Sequence, residues 1–175
     1  KRRYAWQAVT QASWLSLLIS LLISLALIPL IRKPFQWMGL EPATLEMAAE
    51  YFLIILYGFP VIFLDMLFGN VFNAYGDNKL SNAIMVFCLG VNIALDPLLM
   101  FGWYGFPAMG TAGAALATII SHGLSFVMRL YLLRRKGYIA PILSFFKFKT
   151  FYYRRLIKIG LPNAVTSMIL SLVYP

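Results

Sequence analysis

The sequence predicts an all-α, polytopic membrane protein, and two observations carry that reading. Of 175 residues, 61% are hydrophobic and only 12% are charged, more apolar surface than a soluble domain of this length can hide. The apolar residues also fall into five runs, near 8–31, 45–74, 80–101, 111–133 and 156–175. Each is long enough for the roughly 20 residues that a helix needs to cross a bilayer.

The first run carries Ser16, Ser20 and Ser24 at four-residue spacing, a small polar stripe that lets helices approach closely in lipid. The second run opens with helix-entry chemistry, since Pro42 and Thr44 precede it and Glu46 falls in its first turn. It is long, so it should tilt or rest its ends in the interfaces. Glu46 and Glu50 share a face at its outer end, a solvated or vestibule-lining pair. Gly58-Phe59-Pro60 places a proline inside the run, which bends the helix and could serve gating. Asp65 is an acid at membrane depth on the inner side. It is either a relay or substrate-facing group, or a structural acid paired with another helix.

The third run holds Asn92-Ile93-Ala94-Leu95-Asp96-Pro97. An acid at a helix centre in the membrane costs on the order of 3 kcal/mol on insertion scales. Asn92 and Asp96 lie one above the other on one helix face. Pro97 has no N–H, so the carbonyl of Ile93 loses its helical partner. Three oxygen sources within one turn suit Na⁺ or a proton. The fourth run has two stripes of small residues, Gly110, Ala114, Thr118, His122 and Gly113, Ala117, Ser121, Ser125, whose default role is close packing. The short loop 102–110 makes the third and fourth runs antiparallel neighbours. Counting residues from the facing ends, Asp96 and Thr118 differ in depth by about 4–5 Å, so the Thr118 hydroxyl is a candidate third member of the cluster. His122 is either a proton carrier or a neutral histidine bonded to a helix backbone.

Loop charges orient the set. Lys1, Arg2 and Arg3 precede the first run, and the stretch from Arg129 to Lys158 holds nine Lys or Arg and no acid. Both are expected on the cytoplasmic side, and the four spans between them, an even number, make this consistent. The linker within 134–155 mixes phenylalanines and tyrosines with basic residues, a composition suited to the headgroup zone of an anionic leaflet, whether as a lipid or partner site or as a plain connector. The net charge of +9 sits at helix ends, so it reads as a topology signal and not as a nucleic-acid footprint. Lone Cys88 excludes an internal disulfide framework. No phosphate-cradling loop, Cys/His metal set or nucleophile–base pair is visible, so an ATPase or hydrolase is not expected. The chain reads as an internal piece of a longer one.

Several ordered stretches then become recognisable. They are Gly58-Phe59-Pro60, Asn73-Ala74-Tyr75-Gly76-Asp77-Asn78-Lys79, Asn92 through Pro97, Gly110 through Thr118, and Leu156-Ile157-Lys158-Ile159-Gly160-Leu161-Pro162. In this order and spacing the chain resembles the multidrug and toxic compound extrusion (MATE) transporters. The resemblance implies two six-helix lobes around a central cavity. Residues 1–133 would be four helices of the N-terminal lobe, 134–155 a cytoplasmic linker, and 156–175 the first helix of the C-terminal lobe. These correspond to the family's helices three to seven. It also implies a monomeric transporter in the cell membrane, without cofactor, that exports cationic or amphipathic compounds in exchange for Na⁺ or H⁺. Asn92, Asp96 and Thr118 match three members of a first-lobe cation site whose remaining acid lies on a helix absent from this sequence. Asp65 and His122 are not accounted for by the family pattern. A flippase for lipid-linked precursors is the alternative cargo class, disfavoured by the expected absence of Arg and Lys from helix interiors. A non-transport membrane subunit is the third reading.

Overall fold

The computed structural model describes residues 2–138, with side chains from residue 6, and beyond them only positions 158, 160, 162, 166 and 170. The linker 139–155 and most of the expected fifth span therefore lie outside the described residues. Among the described residues five α-helices follow in order: α1 (Arg2–Leu27), α2 (Arg32–Trp37), α3 (Pro42–Ala74), α4 (Asn78–Phe101) and α5 (Thr111–Arg135). Among the same residues four helical stretches are long and apolar enough to cross a membrane: Trp6–Leu30, Pro42–Ala74, Asn78–Phe101 and Thr111–Arg135.

The boundaries follow local chemistry. The first span, expected near 8–31, runs Trp6–Leu30, with α1 ending at Leu27 and a 3-10 turn, Ile28–Leu30, completing it. Pro29 sits in that turn and disfavours the α conformation in the residue before it. The chain then makes the short helix α2 between the first two apolar runs. α3 begins earlier than expected, with Pro42 at its first position after an extended Glu41, where the missing N–H costs nothing. Gly102 ends α4 in the left-handed conformation, φ 71°. A Cβ there would meet the Phe106 carbonyl oxygen at 2.6 Å. The loop behind it folds back on the helix end. The N–H groups of Met109 and Gly110 donate to the carbonyls of Leu99 and Met100 at 3.0 and 3.1 Å, satisfying groups that a helix terminus leaves open.

α1 packs on α3, α3 on α5, and α5 on α4. α3 and α4 are joined by a tight turn at Gly76 (φ 80°), yet they meet each other far less than each meets α5. Small residues set the approaches. Gly113 brings α5 so close to α4 that a Cβ would lie 2.5 Å from the Leu99 carbonyl oxygen, the close backbone contact that small residues permit in membranes. Gly58 of α3 likewise receives the side chain of Ile119. An apolar core of Phe68, Val71, Phe72, Ile84, Cys88 and Leu133 fills the half near the α3–α4 turn.

Ser24, expected to serve close packing, has a more specific task. Its hydroxyl donates to the carbonyl of Leu56 at 2.8 Å. Leu56 lies four residues before Pro60, so this is the carbonyl that the proline strips of its helical donor. α1 thereby repairs the break in α3.

At the end that holds the α3–α4 turn, Asp77 binds Lys136 Nζ at 2.7 Å and accepts the Tyr138 hydroxyl at 2.8 Å. The Tyr75 and Tyr138 rings stack 4.1 Å apart. Trp6 donates its indole N–H to the Gly137 carbonyl at 3.1 Å. This cluster ties the α3–α4 turn to the end of α5. The hydrogen bond from Lys136, then that from Tyr138, holds the Asp77 carboxyl below its ordinary value, while the same bonds raise Lys136 and Tyr138. At the opposite end Glu46 pairs with Arg32 at 2.8 Å on the exposed surface, and Glu50 is also exposed.

Candidate functional site

α5 presents Thr118, Ser121, His122, Ser125 and Arg129 along one face, spaced by three or four residues. Because α5 packs against both α3 and α4, this face floors an open cleft of about 160 Å³. α4 supplies one wall with Met85, Cys88, Leu89 and Asn92, and Asp65 of α3 stands opposite.

Asp65 is only 4% exposed and is held from two sides. Arg129 Nη1 donates to its Oδ1 at 2.6 Å and to its backbone carbonyl at 2.9 Å. His122 Nδ1 lies 2.9 Å from Oδ2. A buried ion pair survives desolvation only with such additional hydrogen bonds. Gly69 makes room for it, since a Cβ there would lie 3.1 Å from Arg129 Nη1.

This pairing corrects two expectations. Arg129 was counted among the cytoplasmic basic residues, and helix interiors were expected to hold no Arg or Lys. Arg129 is instead 6% exposed, six residues before the end of α5, with its charge on a buried acid. The backbone-bonded alternative for His122 also fails, because its partner is a carboxylate. Asp65 is thus a paired acid, and its partners lie on α5. The sequence carries a signal for this, because Arg129 follows Ser125 by four residues and His122 by seven and so shares their helix face. A basic residue near a helix end, however, resembles a topology signal.

The three residues proposed for cation binding are placed unevenly. Asn92 and Thr118 line the same cleft. Thr118 donates its hydroxyl hydrogen to the Ala114 carbonyl at 3.0 Å, which leaves its oxygen lone pairs available. Asn92 Nδ2 is buried without a hydrogen-bond partner. Asp96 lies one turn further along α4, half-buried, outside this cleft's lining. Among the described residues no hydrogen bond or ion pair reaches it. No group of three or more His, Cys, Asp or Glu that could hold a metal occurs among the described residues.

Four long apolar helices among the described residues, three of which line an open cleft with polar side chains, mark a multi-pass helical membrane protein. Residues 1–98 match the MatE family, and the chain belongs to it. "Probable multidrug resistance protein YoeA" of Bacillus subtilis is 30% identical over 139 residues, covering 77% of this chain and 30% of that protein. "Probable multidrug resistance protein NorM" of Bacillus cereus is 27% identical over 162 residues, covering 89% and 35%. The chain therefore spans about a third of the length of the curated relatives it matches. An outward-facing multidrug resistance MATE family transporter of the MOP superfamily superposes with a TM-score of 0.81 at 25% identity, over 98% of this chain and 39% of that one.

Proposed function

We propose that this chain is part of a secondary antiporter that exports cationic or amphipathic compounds in exchange for Na⁺ or H⁺. In this reading residues 1–133 form part of an N-terminal lobe, 134–155 a cytoplasmic linker, and 156–175 the first helix of the second lobe. The protein works as a monomer in the cell membrane with residues 1–3 inside. Asn92, Asp96 and Thr118 form one wall of the coupling-ion site. What supports this is that Asn92 and Thr118, whose amide and hydroxyl oxygens can accept a cation, line one cleft, one helical turn from Asp96, an acid with no partner among the described residues. A half-buried acid at membrane depth calls for a counter-charge or a proton. Neutralising Asp96 removes a charge from the lobe, and the ion drives the cycle only as far as it binds one state more tightly. Pro60 and Pro97 supply the bends about which α3 and α4 adjust.

Arg129 removes the charge argument against a lipid-linked, anionic cargo. Its guanidinium, however, is committed to Asp65, which leaves it poorly placed to hold a pyrophosphate.

The test is Asp96→Asn in the full-length protein. Efflux of a lipophilic cationic dye should fall to background, and Na⁺ or acid should cease to raise the melting temperature. A variant that keeps both would refute cation coupling at this residue and favour a non-transport role.

A further inference from the structure

A second cavity lies at the end of the molecule opposite the α3–α4 turn. Where the 3-10 turn closes the first span, the chain turns into α2 and leaves an open groove of about 460 Å³ against α3. Leu27 and Leu30 line it from the end of the first span, Phe35 and Trp37 from α2, and Phe52 and Leu56 from α3. Two contacts fix α2 in place. Arg32 binds Glu46 at 2.8 Å, and the Phe35 and Phe52 rings meet with centroids 5.3 Å apart. Leu27, Leu30, Trp37 and Phe52 are nonetheless exposed, so this apolar groove is uncovered among the described residues. Apolar walls of this kind take up hydrocarbon and not water.

Charge and length say what hydrocarbon it suits. Lys33 is the only charged residue in the lining. It is exposed, and among the described residues no hydrogen bond or ion pair reaches its ammonium, whereas its neighbour Arg32 is taken by Glu46. From the level of that pair, Leu56 is ten residues further along α3, about 15 Å of helix. That is half of the roughly 30 Å hydrocarbon core of a bilayer. The groove therefore runs from a cationic mouth over the depth of a single leaflet. Spread over that depth, about 460 Å³ is too slender for a helix about 10–12 Å across, but it admits an extended hydrocarbon chain. Trp37, 87% exposed on α2, is an aromatic of the kind that rests at headgroup level.

We propose that this groove binds an anionic membrane phospholipid, with one acyl chain laid between α2 and α3 as far as Leu56 and the phosphate on Lys33. The chain covers the walls that the described residues leave bare and fills the gap opened by the break at Pro29. The ammonium gives the phosphate oxygens charge-assisted hydrogen bonds. A zwitterionic lipid offers the same phosphate, but its own cation offsets the charge, so the site favours a headgroup with net negative charge. The groove stands apart from the polar cleft, and the inference does not depend on the coupling ion or on Asp96.

The test uses the purified full-length protein in phosphatidylcholine nanodiscs doped with phosphatidylglycerol that carries a photoreactive diazirine near the end of one acyl chain. Labelled peptides are mapped by mass spectrometry. Residues 52–56 should be labelled, and Lys33→Gln should reduce that labelling about fivefold, the weight of one lysine beside an anionic headgroup. The same diazirine chain on phosphatidylcholine should label the segment more weakly by a similar factor. Leu30→Trp fills the groove and leaves Lys33 in place, so it should remove the labelling at 52–56 while labelling elsewhere on the protein persists. Both substitutions fall on exposed side chains, and circular dichroism checks that the helices are kept. Absence of labelling at 52–56 in the native protein means that another part of the protein covers the groove, and it overturns the proposal. Labelling that is indifferent to headgroup and to Lys33→Gln, or that survives Leu30→Trp, marks ordinary surrounding lipid and overturns it as well.

Discussion

Ser24→Ala removes one hydroxyl from α1, and the structure says what that exposes. The hydroxyl donates to the Leu56 carbonyl at 2.8 Å, and Ser24 is 6% exposed. Pro60 denies that carbonyl its normal helical donor, so the substitution orphans a buried acceptor. Leaving such a group unpaired costs about 1–3 kcal/mol, while interhelical hydrogen bonds in membranes reach about 1.7 kcal/mol at most. We therefore expect a loss of about 1–2 kcal/mol. The informative experiment is the double-mutant cycle with Pro60→Ala. Alanine at 60 restores an N–H to the Leu56 carbonyl, so Ser24→Ala in that background should cost under about 0.5 kcal/mol. The assay is equilibrium unfolding of the purified full-length protein in mixed micelles, followed by circular dichroism. Equal losses in the two backgrounds would show that Ser24 contributes by packing alone and would refute the repair argument.

Two further outcomes follow from charges. Arg129→Met should cost about 3–5 kcal/mol because it strands Asp65 as an uncompensated buried acid. Asp65→Asn in the same chain should recover most of that loss, and an unfolding series in which the double variant is no more stable than Arg129→Met would count against the pairing. At the cluster that ties the α3–α4 turn to the end of α5, Asp77 is held below its ordinary value by Lys136 and Tyr138. Its stabilisation is therefore present above the unfolded carboxylate value, 3.8, and is lost as pH falls through the lower folded one. Lys136 and Tyr138 are raised, so their contributions are present below the unfolded values and are lost at alkaline pH. Melting temperature against pH should show a plateau between these limits, and Asp77→Asn should lower the plateau and flatten its acid edge. An unchanged acid edge in the variant would remove Asp77 as its cause.

The helices were legible in the sequence because membrane crossing leaves a coarse signal. About 20 apolar residues must run together, and every breaker between them is visible. Asn92 and Thr118 were legible as cleft residues because helix periodicity and a short connecting loop fix their face and depth. Ser24 was legible only as a small residue, since its acceptor is created by a proline on another helix 36 positions away. Arg129 was misread because its charge resembles a topology signal at a helix end, and nothing in its own neighbourhood names Asp65.

Composition and periodicity thus determine the solvent this chain folds in, the number of described helices that can span it and the breaks within them. Those properties depend on local residues and on the bilayer's thickness. Packing decides the rest. α5 lies against both α3 and α4, Gly69 opens space for a guanidinium, and Arg129 and His122 close on one buried carboxylate. Partner choice in a low-dielectric interior depends on which faces meet. That is a property of helix arrangement, which a one-dimensional pattern does not encode.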